Sequence, residues 1–332
     1  MRYLKLVFIT LLLLLTTGCV SYSELNELGI IDTILIDKNN NEYTITINVL
    51  TPEENNLENS KIYSATNNTL SQCLNDLYLS TTKKISFSHL ELLALTPNIS
   101  RTDYDEIINL FLNRADSRNT FSTIIVSTPD QLMEYKSKEL NNLININHEE
   151  EGSVAIKQFD SIIKDILEIN ISYIPRIKID QEVIIEGYQS IYEENRLLSK
   201  EESIGYNFTT DQLVQALFTV DDIGFKVNSS KTNIIVNKNK INLDINNTYQ
   251  IISNNTNLKE KDIEKKYNQE IKKYINEFLK NNKYNYFYNL IKKYNYKYYQ
   301  NNNNIQLDFE INIVSSKIDN SNIKGGNQYE QQ

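Results

Sequence analysis

The first nineteen residues constrain the chain most, because they decide where the rest of it folds. Arg2 and Lys5 form a short positive start, the run 6–15 is almost entirely apolar, and small residues follow up to Cys19. A positive start, an apolar stretch of about ten residues and a small-residue cleavage site are typical of a secretory signal. A membrane-spanning helix needs about 20 apolar residues. The pattern therefore predicts that residues 1–18 are a signal peptide and that the remaining chain folds after export.

Cys19 directly follows Gly18 at the end of this run. The arrangement resembles the lipobox of the bacterial lipoprotein pathway, in which the cysteine thiol is acylated and the chain is cut before it. Each buried CH₂ group contributes roughly 0.8 kcal/mol, and two acyl chains hold a protein stably where one is marginal. A diacylglyceryl group on Cys19 would supply both chains and anchor the body to the outer face of a membrane. The alternative is a plain secreted protein with an incidental cysteine.

Charge and cysteine content exclude some classes of protein. Removal of residues 1–18 takes away two basic residues and no acidic one, so the formal charge changes from −9 to −11. Such an acidic chain argues against a nucleic-acid partner. With Cys19 acylated, Cys73 cannot form an intrachain disulfide, so packing must hold the exported body together. The chain is long enough for two or three domains with their own cores.

Hydrophobic periodicity predicts a mixture of helices and strands. Helices are predicted at 64–80, from 102, from Pro129, and at 153–168, 209–218 and 259–279. Strands are predicted at 30–37, 43–49, 85–95, 121–126, 171–179, 183–191, 224–227, 232–236, 241–251 and 305–313. A polar link joins the first two strands, which therefore form a hairpin. Hairpins mixed with helices favour a multi-domain α+β fold, with mixed or antiparallel sheets flanked by helices, over a doubly wound parallel sheet.

The polar stretch 193–203 is the candidate domain boundary. It divides the mature chain into an N-terminal region, 19–192, which we expect to contain two subdomains, and a C-terminal α+β domain, 193–320. The second domain is predicted to close with the long amphipathic helix 259–279 and the alternating strand that follows it. Residues 321–332 are predicted to form a disordered tail.

A search for chemistry gives few candidates. His89 and His148 lack the spacing of a metal site or of a nucleophile–base pair, so each is interpreted as an ordinary structural residue. Cys73 lies on an apolar helix face and is interpreted as a small buried hydrophobe. Residues 149–151, three glutamates, could hold a cation, but such a run is usually a solvated loop. There is no glycine-rich phosphate loop and no nucleophile elbow. We therefore predict no catalytic, metal-binding or cofactor-binding residues and no enzymatic activity.

The segment 259–299 is rich in lysine and tyrosine. One hypothesis is a surface that meets anionic lipid headgroups, where each lysine contributes about 1 kcal/mol. The favoured interpretation is a solvated helix face followed by tyrosines packed on the sheet. An interface with a partner protein is kept as an alternative. The residues concerned are Lys261, Lys265, Lys266, Lys272, Lys273, Lys280, Lys283, Lys292, Lys293 and Lys297, with Tyr284, Tyr286, Phe287, Tyr288, Tyr294, Tyr296, Tyr298 and Tyr299.

Several segments in order resemble the Ger(x)C family, the lipoprotein subunits of spore germinant receptors. Residues 23–30, Ser-Glu-Leu-Asn-Glu-Leu-Gly-Ile, are similar to the family's opening after the cysteine, and 34–37, Ile-Leu-Ile-Asp, to the end of its first strand. Residues 87–93 resemble its histidine-containing strand and 111–118 the helix end that follows. The closing long helix and alternating strand also fit the family's C-terminal domain, so the resemblance spans nearly the whole mature chain.

The resemblance implies a three-domain α+β body without catalytic residues, in a complex with two multispanning membrane subunits. It implies a place on the inner spore membrane and a role in assembly or signal transmission during germination. The alternative function is a stand-alone surface lipoprotein that binds a small solute, which predicts a deep interdomain pocket. A third hypothesis, an exported enzyme, has no candidate residues.

Overall fold

The computed structural model describes residues 28–51, 59–192, 194–282, 286–302 and 305–318. The predicted signal peptide, Cys19 and the predicted tail at 321–332 lie outside these residues. Within them, no helix combines the length and the apolar character needed to cross a membrane.

Ten strands form a mixed sheet in the first part of the chain. They are β1 Leu28–Asn39, β2 Glu42–Thr51, β3 Asn59–Asn67, β4 Lys84–Ser86, β5 Leu92–Leu95, β6 Ser122–Val126, β7 Lys157–Gln158, β8 Ser172–Asp180, β9 Glu182–Ile191 and β10 Arg196–Leu197. Their order is β10-β9-β8-β6-β5-β1-β2-β3, with β4 beside β1 and β7 beside β6. Strands β1, β5, β6 and β8 are parallel, whereas β2, β3, β9 and β10 run antiparallel to their neighbours. A parallel centre therefore lies between antiparallel hairpins.

A second sheet follows in the chain. Its strands are β11 Ala216–Val220, β12 Ile223–Asn237, β13 Lys240–Asn254 and β14 Asp308–Lys317, in that order across the sheet. The first three are antiparallel, and β14 pairs in parallel with β13. A parallel return needs a long crossover, and the helices between β13 and β14 supply it.

Eight α-helices and one 3₁₀ helix lie within the described residues. The α-helices are α1 Leu70–Ser80, α2 Arg101–Leu112, α3 Ser137–Glu151, α4 Phe159–Ile169, α5 Lys200–Thr209, α6 Glu260–Asn282, α7 Tyr288–Tyr294 and α8 Tyr296–Gln300, and the 3₁₀ helix is Pro129–Glu134. The predicted α+β architecture, closed by a long helix and a strand, is thus confirmed.

The two faces of the first sheet contact different elements. On one face, α1, α2 and α4 bury Leu77, Ile107 and Ile162 in one apolar cluster. On the other face, Tyr188 of β9 belongs to a larger apolar cluster. This cluster also contains Phe208 of α5, Phe278 of α6 and Phe225 of the second sheet. Burial of each large apolar side chain stabilises the fold by about 1.5–3 kcal/mol. Because this second cluster contains residues of both sheets, the two sheets share a continuous core.

The first hairpin illustrates how local sequence determines the fold. Asn40 and Asn41, between β1 and β2, have φ angles of 48° and 68°. A two-residue turn with both φ values positive matches the twist of antiparallel strands and favours asparagine. Tyr43, Ile45 and Ile47 alternate with polar residues and are buried, as their period of two predicts.

Several predicted boundaries in the first region were wrong. The helix predicted at 64–80 begins at Leu70, after the N-cap Thr69, and residues 59–67 form the edge strand β3. The strand predicted at 85–95 is divided into β4 and β5, both parallel to β1. The helix expected to begin at Pro129 is a short 3₁₀ helix followed by the separate helix α3.

Other differences follow from glycine and capping residues. The helix predicted at 153–168 begins at Phe159, because Gly152, with φ 64°, ends α3 and six residues without helical structure follow. The helix predicted at 209–218 is instead α5, which Ser199 and Glu202 start with a reciprocal capping box. The strands predicted at 224–227 and 232–236 are one strand, β12, with a register shift after Val227. The last regular strand begins at Asp308 rather than at 305.

Candidate functional site

A polar cleft of about 610 Å³ lies beside the bulged part of β1. Its walls come from β1, β2, the start of β3, the segment before β5 and the first turn of α3. The lining residues are Ile30, Asp32, Asn48, Leu50, Ser60, His89, Glu91, Lys136, Ser137 and Lys138. A volume of this size falls in the range of small-molecule sites, which is about 300–1,000 Å³.

A β-bulge places Asp32 in this cleft. The pairing of β1 with β2 shifts register between Ile31 and Thr33. Ile31 and Ile34, three positions apart, consequently both lie in the apolar cluster beneath the helices, although regular strands place residues two apart on one face. The bulge inserts one extra residue into the strand and so redirects the carboxylate of Asp32 away from that cluster.

Two carboxylates converge on one hydroxyl group in the cleft. Ser137 Oγ lies 2.9 Å from Asp32 Oδ1 and 2.8 Å from Glu91 Oε2. Thr33 Oγ1 donates to Asp32 Oδ2 at 3.0 Å, and the backbone N–H of Glu91 donates to the backbone carbonyl of Asp32 at 3.0 Å. Burial raises the pKa of Asp32 above its usual value, against the hydrogen bonds from Ser137 and Thr33, and the nearby Glu91 raises it further.

Asn48 contributes a neutral acceptor from β2. Its side chain is 7 % exposed and lines the cleft. Its Oδ1 atom accepts no hydrogen bond from the described part of the chain. Buried polar atoms in proteins are nearly always hydrogen-bonded. Of the fourteen buried side-chain atoms without a partner among the described residues, only this oxygen belongs to a residue that lines the cleft, so it is a candidate acceptor for a ligand.

The structure places the residues considered from sequence in separate environments. His89 lies in the cleft wall, whereas His148 is buried in the last turn of α3, where burial lowers its pKa. Cys73 is fully buried in α1, its thiol lies 3.2 Å from the backbone oxygen of Tyr43, and burial raises its pKa. The glutamates 149–151 end α3 rather than forming a loop, and Glu151 binds Lys200 at 2.6 Å.

Two of the family-like segments are in direct contact. The guanidinium of Arg114 lies 3.7 Å from the centre of the Phe87 ring and donates two 3.1 Å hydrogen bonds to Asp116. Asp116 in turn accepts the backbone N–H of Phe87 at 3.2 Å. The segment 87–93, which contains His89 of the cleft wall, is therefore held against the residues that follow the C-terminal end of α2.

The lysine- and tyrosine-rich segment has two parts in the structure. In α6 the predicted apolar stripe is buried and most lysines are exposed. Further along, Tyr286, Tyr298 and Tyr299 pack against the core. This arrangement agrees with the favoured interpretation for most of the segment. Tyr294 and Tyr296 are instead 61 % and 53 % exposed, and for this short stretch the alternatives of contact with lipid or with a partner stay open.

Fold and cleft together define a two-sheet α+β protein with a carboxylate-lined surface site. Among the described residues, no group of three or more histidine, cysteine or acidic side chains could hold a metal ion. Residues 21–179 match the family model described as the spore germination protein N-terminal domain. The N-terminal part of the chain thus carries a domain of the spore germination type, and this match supports the predicted resemblance to the Ger(x)C family.

The chain was also compared with solved structures and with curated proteins. The crystal structure of the GerBC protein is similar at 15 % sequence identity and a TM-score of 0.46, over 86 % of this chain and 97 % of that one. The chain matches none of the curated proteins.

Proposed function

We propose that the chain is a membrane-anchored lipoprotein subunit of a spore nutrient-germinant receptor, acting in assembly or signal transmission. The observation that carries this proposal is the position of the family match. It begins at residue 21, two residues after Cys19. The leader-like run and the cysteine thus directly precede the germination domain, where a cleaved signal and an acyl anchor are expected.

The proposed anchor keeps the body close to the membrane. Leu28, the first residue of β1, is nine positions after Cys19. An extended chain spans at most about 3.3–3.6 Å per residue, so β1 would begin within roughly 30 Å of the acylated sulfur. Confinement to this distance raises the effective concentration of the body beside other membrane proteins. Modest contacts with two multispanning subunits at the inner spore membrane would then suffice for assembly.

The proposed division into regions 19–192 and 193–320 falls near the connection between the two sheets. Residues 194–199 connect the first sheet to α5, and β10 within them pairs with β9. Strands β1 to β9 precede this connection, β10 of the first sheet lies within it, and the second sheet follows it. We retain this division as a proposal about how the family's regions are arranged.

Acylation is tested with the two cysteines as a matched pair. Cys19→Ala and Cys73→Ala are expressed in a spore-forming host that is fed labelled palmitate, and membrane and soluble fractions are compared. We expect Cys19→Ala to lose the label and leave the membrane fraction, whereas Cys73→Ala keeps both. If Cys19→Ala kept the label and stayed in the membrane fraction, the proposed acylation of Cys19 would be wrong.

The receptor role needs a separate experiment. The full chain, tagged at its C-terminus, is purified from detergent-solubilised spore membranes, and its gene is deleted in parallel. We expect two multispanning proteins to co-purify, and the deletion to abolish germination with at least one nutrient. Germination that is unchanged with every nutrient, together with recovery of the chain alone, would contradict the receptor role and favour a stand-alone solute-binding lipoprotein. Genes for two multispanning proteins beside this one would support the receptor.

A further inference from the structure

The cleft beside β1 has an imbalance of hydrogen-bond donors and acceptors. The single hydrogen of the Ser137 hydroxyl can be donated to Asp32 or to Glu91, but not to both. Ser137 is 2 % exposed, so its hydroxyl has little access to solvent. When both carboxylates are ionised, one of them faces an oxygen lone pair and not a donor. Two ionised carboxylates this close disfavour each other's charge. Lys138, whose Nζ lies 3.6 Å from Glu91 Oε1, lowers the pKa of Asp32 less than Glu91 raises it, so a bound proton or a further cation would relieve the remaining repulsion.

A bound proton alone would not satisfy every acceptor in the cleft, because Asn48 contributes a further one. Its amide oxygen is an additional acceptor without a partner among the described residues, and it comes from a different strand. A proton on Asp32 or Glu91 would leave this oxygen unsatisfied. Asp32, Asn48 and Glu91 together present three acceptors from β1, β2 and the segment before β5. A protonated primary amine carries three N–H donors and no acceptor, which complements this set.

The rest of the cleft suits an organic molecule better than a single ion. The volume of about 610 Å³ is far larger than one ion occupies, since even a water molecule takes about 30 Å³ of liquid volume. Ile30 and Leu50 give the cleft an apolar wall. Lys136 and Lys138 stand at the first turn of α3. The Lys138 side chain is 80 % exposed, with its Nζ 3.6 Å from Glu91 Oε1, so it is available to an anionic or polar group on the ligand.

We propose that the cleft formed by Asp32, Asn48, Glu91 and Ser137 binds a small organic molecule through a protonated primary amine. The ligand's remaining groups lie along Ile30 and Leu50 and point to the two lysines of α3. This site goes beyond the proposed receptor function, because binding by the purified chain requires neither an acyl anchor nor a membrane partner.

The test is calorimetric titration of the full chain in detergent near neutral pH. The probes are n-butylamine, γ-aminobutyric acid and L-leucine, each paired with its N-acetyl form, which keeps the carbon skeleton, loses the positive charge and adds an acetyl group at the nitrogen. We expect at least one free amine to bind and its acetylated form not to bind. Calcium and magnesium chloride are titrated separately.

Variants then locate the bound amine. Asp32→Asn is expected to weaken binding roughly tenfold or more, since it removes a charge-assisted hydrogen bond. Asp37→Asn is the matched control on the same strand, because Asp37 accepts from Thr96 outside the cleft lining, and it should leave affinity within about twofold. Asn48→Leu removes the neutral acceptor at similar volume and should also weaken amine binding. It provides the test if Asp32→Asn fails to fold.

Three outcomes would overturn the proposal. The first is the absence of binding by every free amine, and the second is amine binding that Asp32→Asn and Asn48→Leu both leave unchanged. The third is Asp32-dependent binding of calcium or magnesium with no amine bound, which would assign the cleft to a metal ion instead. None of these results would bear on acylation of Cys19 or on co-purification with multispanning proteins.

Discussion

The Tyr43 hydroxyl donates a 2.6 Å hydrogen bond to the carboxylate of Asp103, which is 1 % exposed. Lys38 binds the same oxygen, and the backbone and hydroxyl of Ser100 donate to the other oxygen at 2.7 and 2.6 Å. Burial by itself would raise the pKa of Asp103. The hydrogen bonds from Lys38, Ser100 and Tyr43 outweigh burial and lower the pKa to about 2. This network joins the first hairpin to the start of α2.

Asp103→Asn should lower the free energy of unfolding by about 2 kcal/mol near neutral pH. The folded pKa lies below the usual aspartate pKa of 3.8, and each unit of difference corresponds to about 1.4 kcal/mol. A lowered folded pKa means that the stabilisation is complete above the unfolded pKa. It is lost as the pH falls from about 4 to about 2. Urea denaturation of the parent and the variant, repeated from about pH 7 down to about pH 3, measures this difference.

The exposed Asp130 provides the control for this measurement. Asp130→Asn should change stability by no more than about 0.5 kcal/mol at any pH, as is usual for surface substitutions. A difference between the parent and Asp103→Asn that stayed constant with pH would show that the side chain contributes through shape and not through its charge.

The helix start near Asp103 could be predicted from sequence, but the contact of Asp103 with Tyr43 could not. Thr102-Asp103 is a local signal for the start of α2, and the alternation of β2 predicts a buried Tyr43. Their contact joins residues 60 positions apart, and it depends on how α2 crosses the hairpin. Periodicity describes each element by itself and contains no information about that crossing.

Other errors had local signals that could have prevented them. Ser199 and Glu202 have the spacing of a capping box, yet the polar composition of 193–203 predicts a domain boundary there. The predicted helix at 209–218 consequently lies about one helix length after α5. Gly152 stands where a helix commonly ends and separates α3 from the next helix. In both places, composition outweighed capping in the prediction.

The cleft was missed for a different reason. Asp32 stands in the otherwise apolar run Ile-Ile-Asp-Thr-Ile-Leu-Ile at 30–36, and an acidic residue within a buried strand is a signal that could have been used. Its partners Asn48, Glu91 and Ser137 come from three distant segments without a recognisable motif. The bulge that turns Asp32 toward them depends on pairing with β2, which single-strand patterns do not contain.

Arg114→Lys should destabilise the fold by about 1–1.5 kcal/mol. Lysine keeps the charge but cannot donate a bidentate pair to Asp116 or stack its planar group on Phe87. Cation–π contacts contribute about 0.5–2 kcal/mol, and we discount the ion pair because Asp116 is 39 % exposed. Chemical denaturation provides the value. Arg118→Lys, on an exposed arginine four residues later, is the matched control and should be near neutral, and equal effects of the two substitutions would contradict the stacking argument.

Gly205→Ala should destabilise the protein, although the same change in an exposed helix interior stabilises by about 0.5–1 kcal/mol. Gly205 lies in α5 where it crosses α6. A Cβ atom there would clash with the carbonyl oxygen of Tyr274 and would stand 2.7 Å from its carbonyl carbon and 3.0 Å from Phe278 Cβ. The obstacle is mainly backbone, which cannot rotate away as a side chain can. Overpacking of this kind costs about 1–3 kcal/mol.

The consequence of Gly205→Ala should extend beyond the two helices. Tyr206, next in α5, contacts Tyr173 of β8 and Tyr188 of β9 with ring centres 4.5 and 5.0 Å apart. Displacement of α5 from α6 therefore disturbs the core that the two sheets share. We expect urea unfolding followed by far-ultraviolet circular dichroism and by tyrosine fluorescence to shift together to lower urea, with Glu201→Ala on the exposed side of α5 as control. A neutral or stabilising result, or a shift in one signal alone, would mean that α5 can move on α6 without disturbing the first sheet.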